Sequence, residues 1–409
     1  MSSRTSLPLT LDTPLPILPG ATLGAIPILP GATLGAIPIL PGATLGILGG
    51  GQLGRMFTIA ARTMGYKVMV LDPDCDSPAG LMADVHVQAD YTDPDALRQL
   101  SQSCAAVTTE FENVPAASLI ELAGYCRVSP GAEAVAIVQD RSQEKTWLRA
   151  HGFATAPFAI ITEASELDAA MALTGSPALL KVSRFGYDGK GQAKVNSMDE
   201  ARAAFAEFGG QVCVLEGFVS LDCEISVVLA RDDAGHCALF PVAENQHVNG
   251  ILDVSIVPAR VSDALSAQAN TMACDVADKL AYVGVMAVEF FVANGQLLIN
   301  EIAPRPHNSG HYTLDACVTD QFEQQVRALA GLPLGDTRLL SPVTMVNILG
   351  DRWLEHTPNW EALLAHPGIK LHLYGKTSAR AGRKMGHFNV LDVDASAALA
   401  LAQRMRDAL

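Results

Sequence analysis

The sequence predicts a multidomain chain that mixes α/β and α+β architecture: a doubly wound N-terminal domain, a larger central α+β region and a small β-rich C-terminal domain. Three observations predict it. The 409 residues exceed what one ordinary hydrophobic core spans. A strand, a Gly-x-Gly-x-x-Gly turn, a helix and a second strand follow one another between Thr44 and Asp72, the order of a βαβ unit. Further on, short apolar strands are joined by glycine turns and by a hairpin at Asn294-Gly295. The expected divisions are a repetitive, disordered leader over 1–44, a first domain over 45–140, a central pair of domains over 141–335 and a C-terminal domain over 336–409.

The leader repeats itself. Pro16–Ile26 recurs as Pro27–Ile37 and, slightly changed, as Pro38–Leu48. Its high Pro-Gly content, with only the last copy running on into a domain, favours a duplicated disordered segment over a structural array. No basic stretch precedes an apolar core, so it is not read as a signal peptide.

In the first domain, Thr44–Leu48 reads as a strand, Gly49, Gly51 and Gly54 form the turn, a helix runs to about Met64, and Lys67–Leu71 is a second strand ending at Asp72. Taken literally, this fingerprint predicts a dinucleotide such as NAD. The same turn can instead hold a single phosphate at the helix N-terminus. Ala105–Val114 is a further strand whose carboxyl end carries Glu110, Glu112 and Asn113, the end at which open α/β sheets bind ligands.

A helix beginning around Gln139–Lys145 opens the central region. The apolar run Ser176–Lys181 leads into Lys181-Val-Ser-Arg-Phe-Gly-Tyr-Asp-Gly-Lys-Gly-Gln192. Three glycines in this loop, bracketed by Lys181 and Lys190, suit the β- and γ-phosphates of a nucleotide, and equally an exposed turn. The spacing is not that of a Walker loop. Strands follow at Gln211–Glu216, Cys223–Leu229 and Cys237–Val242, and then the polar cluster Glu244–Ile251, in which His247 beside Glu244 and Asn245 reads as a ligand contact.

The strands Val283–Phe291 and Gly295–Ala303 each carry one carboxylate in apolar sequence, Glu289 and Glu301, with Asn300 adjacent. An unpaired buried carboxylate is costly, and neither strand contains a lysine or arginine. Two carboxylates and an amide converging is the donor set of a magnesium site that holds nucleotide phosphates. Arg305, His307, Asn308 and His311 follow on an adjoining loop. In the C-terminal domain, Lys376, Arg380, Arg383 and Lys384 form a basic island, read either as a solvated charge run or as a phosphate clamp.

Composition narrows the partners. A net charge of −15 argues against coating nucleic acid or an anionic membrane, so an anionic substrate needs a local cationic pocket. No apolar run is long enough to span a membrane. Eight cysteines (Cys75, Cys104, Cys126, Cys213, Cys223, Cys237, Cys274 and Cys317) show no C-x-x-C pair and read as reduced core thiols of a cytoplasmic protein.

Together these stretches resemble the ATP-grasp superfamily, and within it the 5-(carboxyamino)imidazole ribonucleotide synthases of purine biosynthesis. The resemblance is carried by GGGQLGRM at 49–56, TEFENVP at 109–115, GYDGKGQ at 186–192, ENQHVNGI at 244–251, INEIAPRPHNSGH at 299–311 and GRKMGH at 382–387. It covers essentially residues 45–390; the leader is the departure. It implies a Rossmann-like first domain, ATP-grasp central domains, ATP and Mg²⁺ as cofactors, and a homodimer. The implied reaction is ATP- and bicarbonate-dependent N-carboxylation of aminoimidazole ribonucleotide by way of carboxyphosphate.

Carried over by position, the resemblance implies ATP contacts at Arg141, Lys181, Gly186, Tyr187, Asp188, Gly189, Lys190, Gly191, Gln192, Glu216, Gly217, Phe218, Val219, Glu224, His247, Asn300 and Glu301. Glu216 and Val219 would meet adenine and Glu224 the ribose. Glu289 and Glu301 would hold the metal. Gln52, Leu53, Glu112, Arg305, Lys376, Arg383 and Lys384 would bind the ribonucleotide, and Tyr187, Asp188 and Arg305 would act in catalysis, Asp188 on the amine. Three other readings remain open: an NAD-dependent oxidoreductase built on Gly49–Gly54, a non-catalytic nucleotide sensor, and an ATP-grasp ligase with a different acceptor.

Overall fold

In a computed structural model of the chain, which describes residues 37–186, 190–355 and 357–409, the strand Thr44–Leu48 lies at the centre of a five-stranded sheet. Its neighbours are Lys67–Leu71 on one side and Ala106–Thr109 on the other, with Val85–Val87 and Arg127–Val128 at the edges, all parallel. Leu45, Ile47 and Leu48 are wholly buried, as both faces of a parallel sheet require. Full burial of each is worth about 1.5–3 kcal/mol relative to exposure. Strand order reverses between Thr44–Leu48 and Ala106–Thr109, so a crevice opens where Gly49 and Glu110 leave the sheet.

Residues 37–43 belong to this domain rather than to a disordered leader. Ile39 N–H donates to Ala330 O at 2.7 Å, and the Tyr66 hydroxyl donates to Ile39 O at 2.7 Å. The third repeat copy is therefore structural, while the earlier copies lie outside the described residues apart from Ile37.

The central region holds two antiparallel sheets. Phe158–Ile161, Cys213–Gly217, Ala178–Val182 and Gln192–Val195 form the smaller one, in that order. It packs on the helices Leu167–Thr174 and Met198–Glu207 through Leu167, Leu180, Phe205 and Leu215. The larger has nine strands, beginning at the edge with Gln296–Ala303 and running through Gly284–Ala293, Cys223–Arg231, Ala243–Val248 and Ile251–Val257. It continues without interruption into Val343–Leu349, Lys384–Leu391 and Ile369–Leu373, and Cys237–Leu239 pairs beside Cys223–Arg231. The C-terminal strands thus extend the central sheet. The bond is made by Val254–Val257 against Val343–Val346, with Val254, Ile256, Val346 and Phe388 sharing one core under the final helix Ala395–Ala408.

The helix Gln321–Ala330 joins first domain and large sheet. Its Phe322, Val326 and Leu329 pack with Phe57 and Ala61 of the helix Gln52–Thr63. Gln325 accepts from Val285 N–H at 2.6 Å and donates to Thr108 Oγ1 at 2.8 Å, tying a strand end of each sheet to one side chain.

Several strands are shorter than the sequence suggests. Ala106–Thr109 stops before Glu110, and Cys237–Leu239 stops before Val242, because Pro241 cannot donate to a ladder. Among the described residues no disulfide forms; Cys104, Cys213 and Cys317 are buried as expected, but Cys75 is exposed. No described helix is long and apolar enough to cross a membrane.

Candidate active site

The glycine turn of the first domain is occupied from within. Glu110 accepts from Gly51 N–H at 2.5 Å and Gly54 N–H at 2.6 Å, placing a carboxylate over the N-terminus of the helix Gln52–Thr63. A dinucleotide pyrophosphate would need those same donors. Asp72, expected on a ribose, instead accepts from Gly50 N–H at 2.7 Å and from the Tyr91 hydroxyl at 2.7 Å. The literal NAD reading is therefore corrected: both halves of the fingerprint are satisfied by the protein's own carboxylates. A Cβ at Gly51 would lie 2.3 Å from Glu110 Oε1, which explains the glycine without any ligand.

On the small sheet, Lys181 is buried and its Nζ donates to Glu216 Oε2 at 2.8 Å. Lys145 Nζ, fully buried, sits 3.6 Å from the other oxygen of Glu216. Burial pushes the Glu216 carboxyl up, but Lys181, Lys145 and Arg141 outweigh it and hold the group at about 2. Its carboxylate thus faces two lysines inside the protein, so an adenine contact at this position falls to its backbone. Gly217 follows it in the strand, Phe218 is exposed with Lys194 Nζ 4.6 Å from its ring, and Val219 is half-buried. In the glycine loop, Gly186, Lys190, Gly191 and Gln192 are described, and Gly191 has φ +70°. Tyr187, Asp188 and Gly189 lie outside the described residues.

The large sheet supplies one polar face. Its register sets Ser226 opposite Glu289 on one side and Glu301 opposite Glu289 on the other. Like charges directly opposed in a sheet destabilise it unless a cation intervenes. Burial first, and then the Glu301 charge, pushes the Glu289 carboxyl up to about 7. Asn300 Oδ1 is buried without a partner among the described residues. These observations fit a hard divalent cation held by Glu289, Glu301 and the Asn300 carbonyl oxygen. Arg141 Nη2 lies 3.5 Å from Glu301 Oε2. On the same face His247 Nδ1 is 2.9 Å from Glu224 Oε2, and His247's pKa is raised because that carboxylate, with Glu289 and Glu301, overcomes its burial.

The rest of the polar cluster at 244–251 is structural. Glu244 points to the other side of the sheet, where Arg260 grips it through Nε at 2.9 Å and through Nη2. Asn245 is buried between Ser226 and Ser255. Strand alternation explains why neighbours in sequence part company.

Across the domain junction, Arg305 Nε donates to Glu112 Oε2 at 2.6 Å. Burial raises the Glu112 carboxyl, but Arg305 more than reverses this and leaves it below the usual range. Lys376 Nζ reaches from the last domain to Gln52 Oε1 at 2.7 Å and to Lys384 O at 2.6 Å. Gln52 and Leu53 open the helix whose N-terminus lies beside Glu110. Arg383 instead turns to Ser378, donating to its carbonyl at 2.7 Å and its hydroxyl at 2.8 Å. Of the adjoining loop, His307 Nε2 is 3.3 Å from Glu289 Oε1, but Asn308 pairs with Asn347 and His311 is buried against Tyr374 and His387. The latter two bind the C-terminal strands to the centre rather than a ligand.

Sequence reasoning missed Glu110's role, Glu144 and Lys145. Glu144 accepts from Ile302 N–H at 2.5 Å, and Lys145 donates to Asn300 O at 2.8 Å. Burial, against Arg141 and Lys145, pushes Glu144 up to about 7. The available signal was the pair of charges at three and four residues beyond Arg141, on one helix face.

The ATP-grasp domain family matches residues 146–322, the ribonucleotide synthetase preATP-grasp domain 42–139, and the phosphoribosylaminoimidazole carboxylase C-terminal domain 343–401. N5-carboxyaminoimidazole ribonucleotide synthase of Bacillus subtilis is 47% identical over 350 residues, 84% of this chain and 90% of its own. The Brucella melitensis enzyme of that name is 47% identical over 344 residues, 83% of this chain and 94% of its own. Among solved structures, N5-carboxyaminoimidazole synthetase from Staphylococcus aureus complexed with ADP superposes with TM-score 0.85 at 38% identity, covering 90% of this chain and 98% of that one. N5-carboxyaminoimidazole synthase from Aspergillus clavatus, in complex with ADP and 5-aminoimidazole ribonucleotide, gives TM-score 0.84 at 31% identity, with 90% and 98% covered. With most of both chains matched, and with all three domain families in order, this chain belongs to the N5-carboxyaminoimidazole ribonucleotide synthase family of ATP-grasp enzymes.

Proposed function

We propose that the chain is an ATP-dependent carbon–nitrogen ligase that carboxylates the exocyclic amine of 5-aminoimidazole ribonucleotide in purine biosynthesis, with bicarbonate as carbon source. The observation that carries the reading is the opposed pair Glu289 and Glu301 with Asn300 Oδ1, buried and without a partner among the described residues, close to the Arg141 guanidinium. A divalent cation bound there would draw charge off the nucleotide phosphates during transfer. Lys181, Lys190 and Arg141 orient the phosphates, Glu224 takes the ribose hydroxyls with His247 fixing its carboxylate, and Phe218 and Val219 flank adenine. Gly186, Gly189 and Gly191 let the loop close over the phosphates and exclude water.

In the first half-reaction a bicarbonate oxygen attacks the γ-phosphorus of ATP and ADP leaves. Carboxyphosphate hydrolyses in water, so exclusion of solvent is part of catalysis. Its C–O bond then breaks, releasing phosphate, and the amine nitrogen bonds to the carbon of the CO₂ set free. The amine proton leaves to Asp188, with Tyr187 and Arg305 holding the ring. Gln52, the Leu53 backbone, Lys376, Arg383 and Lys384 clamp the ribonucleotide phosphate, and Glu112 fixes Arg305. The family resemblance extends the proposal to a cytoplasmic homodimer.

The test is ADP release with ATP, Mg²⁺ and bicarbonate, with and without aminoimidazole ribonucleotide. Strong stimulation by the ribonucleotide supports the proposal. Turnover without stimulation moves the chain to an ATP-grasp ligase with another acceptor, and stabilisation by NADH but not ATP would overturn both.

A further inference from the structure

The strand Gln296–Ala303 is the edge of the large sheet, and it is irregular where the site needs it. Glu301 stands opposite Glu289, yet Ile299 stands opposite Phe290, so Asn300 is an extra residue in a β-bulge. A bulge re-aims side chains and leaves backbone groups without ladder partners. Here one helix face takes up the exposed edge. Arg141, Glu144 and Lys145, one turn of the helix Arg141–Ala150, meet three successive residues of the strand. Lys145 Nζ donates to Asn300 O at 2.8 Å, Arg141 Nη2 lies 3.5 Å from the Glu301 carboxylate, and Glu144 Oε1 accepts from Ile302 N–H at 2.5 Å.

Lys145 has a second attachment. It lies 3.6 Å from Glu216 Oε1, whose other oxygen holds Lys181 at 2.8 Å. Glu216 and Lys181 belong to the small sheet, Asn300 to the large one. One wholly buried ammonium therefore links the two sheets: the strand that presents Asn300 and Glu301, and the Glu216–Lys181 pair. A buried lysine side chain with no role would be expelled by its desolvation cost.

We propose that Glu144 and Lys145 are positioning residues that hold the bulge at Asn300 in register, so that Asn300 and Glu301 meet the metal while Lys181 meets the same nucleotide. The inference rests on the reading of Glu289 and Glu301 as metal ligands. Both side chains are taken up by protein partners, Lys145 by Asn300 O and Glu216, and Glu144 by Ile302 N–H. Their effect is on how strongly metal and nucleotide reinforce each other, because losing the grip relaxes the metal strand while Lys181, Glu224 and His247 still bind ADP.

The experiment is calorimetric titration of the full chain with ADP, once with Mg²⁺ and once with a chelator, the ratio of the two dissociation constants being the metal factor. Supporting residues around metal ligands alter metal affinity by roughly 10–100-fold. The expected result is a metal factor reduced about tenfold in Lys145→Met and Glu144→Asp, whose side chains no longer reach Asn300 O or Ile302 N–H. Metal-free ADP affinity should stay within about threefold, and Glu144→Gln, which keeps an acceptor oxygen, should keep the factor within about twofold. If Lys145→Met does not fold, the Glu144 pair decides. A Glu144→Asp factor within about twofold of the unsubstituted chain overturns the proposal. If the unsubstituted chain itself shows no metal factor, the metal reading of Glu289 and Glu301 fails first, and this proposal with it.

Discussion

At the scale of the residue, charge pairing decides which polar side chains face ligand and which face protein. Lys376, a lysine of the last domain, donates to Gln52 of the first at 2.7 Å, and both belong to the clamp proposed for the ribonucleotide phosphate. Lys376→Ala is expected to weaken ribonucleotide binding by about tenfold to a hundredfold, the size of one lost charge-assisted contact, with ATP binding largely kept. Titration calorimetry with each ligand checks it, and equal loss of both would remove Lys376 from the phosphate clamp. Arg305 and Glu112 form a second such pair, and Arg305→Lys should lower ribonucleotide-stimulated turnover far more than ATP affinity, since lysine cannot reproduce the guanidinium geometry. Steady-state rates against both substrates separate the two effects. The lysines and arginines of these pairs were legible as cations in the sequence. What each one faced was not, because Lys376 and Arg383 share a stretch of residues and yet turn to different partners, Gln52 and Ser378.

At the scale of the element, the glycine turn and the bulged hairpin tell opposite stories about motifs. The Gly49–Gly54 pattern was fully legible, but its meaning depended on Glu110, fifty-six residues beyond Gly54 and brought back by the parallel pairing of Thr44–Leu48 with Ala106–Thr109. Removing that carboxylate leaves two N–H groups at a buried helix end without an acceptor. Glu110→Ala should therefore destabilise the first domain by about 2 kcal/mol, and should not create NADH binding. Thermal unfolding with and without NADH measures both; an unchanged midpoint would deny Glu110 its role as the helix's anchor. The hairpin's two carboxylates, by contrast, were legible in the sequence, and the register sets Glu289 and Glu301 opposite each other. Its bulge was hidden, because a one-residue slip in register leaves no mark on hydrophobic alternation that spans only eight residues. Glu144 and Lys145 were hidden because a charge that long-range packing buries looks, in local sequence, like a surface one.

At the scale of the whole molecule, the site is assembled from three regions that share continuous structure. The C-terminal strands extend the central sheet, and Gln325 ties that sheet to the first domain, so the crevice beside Glu110 and the polar face around Glu289 belong to one frame. The fold class and element types followed from periodicity and turns, whereas the joining of central and C-terminal strands needed long-range pairing that local sequence does not encode. Buried histidines sit at this joint. Burial foremost, with Lys384, His372 and Arg305 around His311 and with His311 and His372 around His387, holds both well below the ordinary 6.5. The unfolded chain therefore binds protons below that pH that the folded chain refuses, and stability falls as pH drops. Each such histidine costs up to about 1.4 kcal/mol per pH unit below its unfolded value. The thermal midpoint should be lower at about pH 5.5 than at about pH 7.5, and His387→Gln should shrink the difference. A midpoint that does not move would contradict neutral histidines at the joint.

In the proposed reaction, ATP phosphorylates bicarbonate before carbon reaches the amine. The most direct measurement is turnover with bicarbonate labelled by oxygen-18, followed by mass analysis of the phosphate released. Because carboxyphosphate breaks at its C–O bond, each phosphate should carry one oxygen from bicarbonate, in step with ribonucleotide carboxylated. Phosphate free of the label, with carboxylation proceeding, would contradict it.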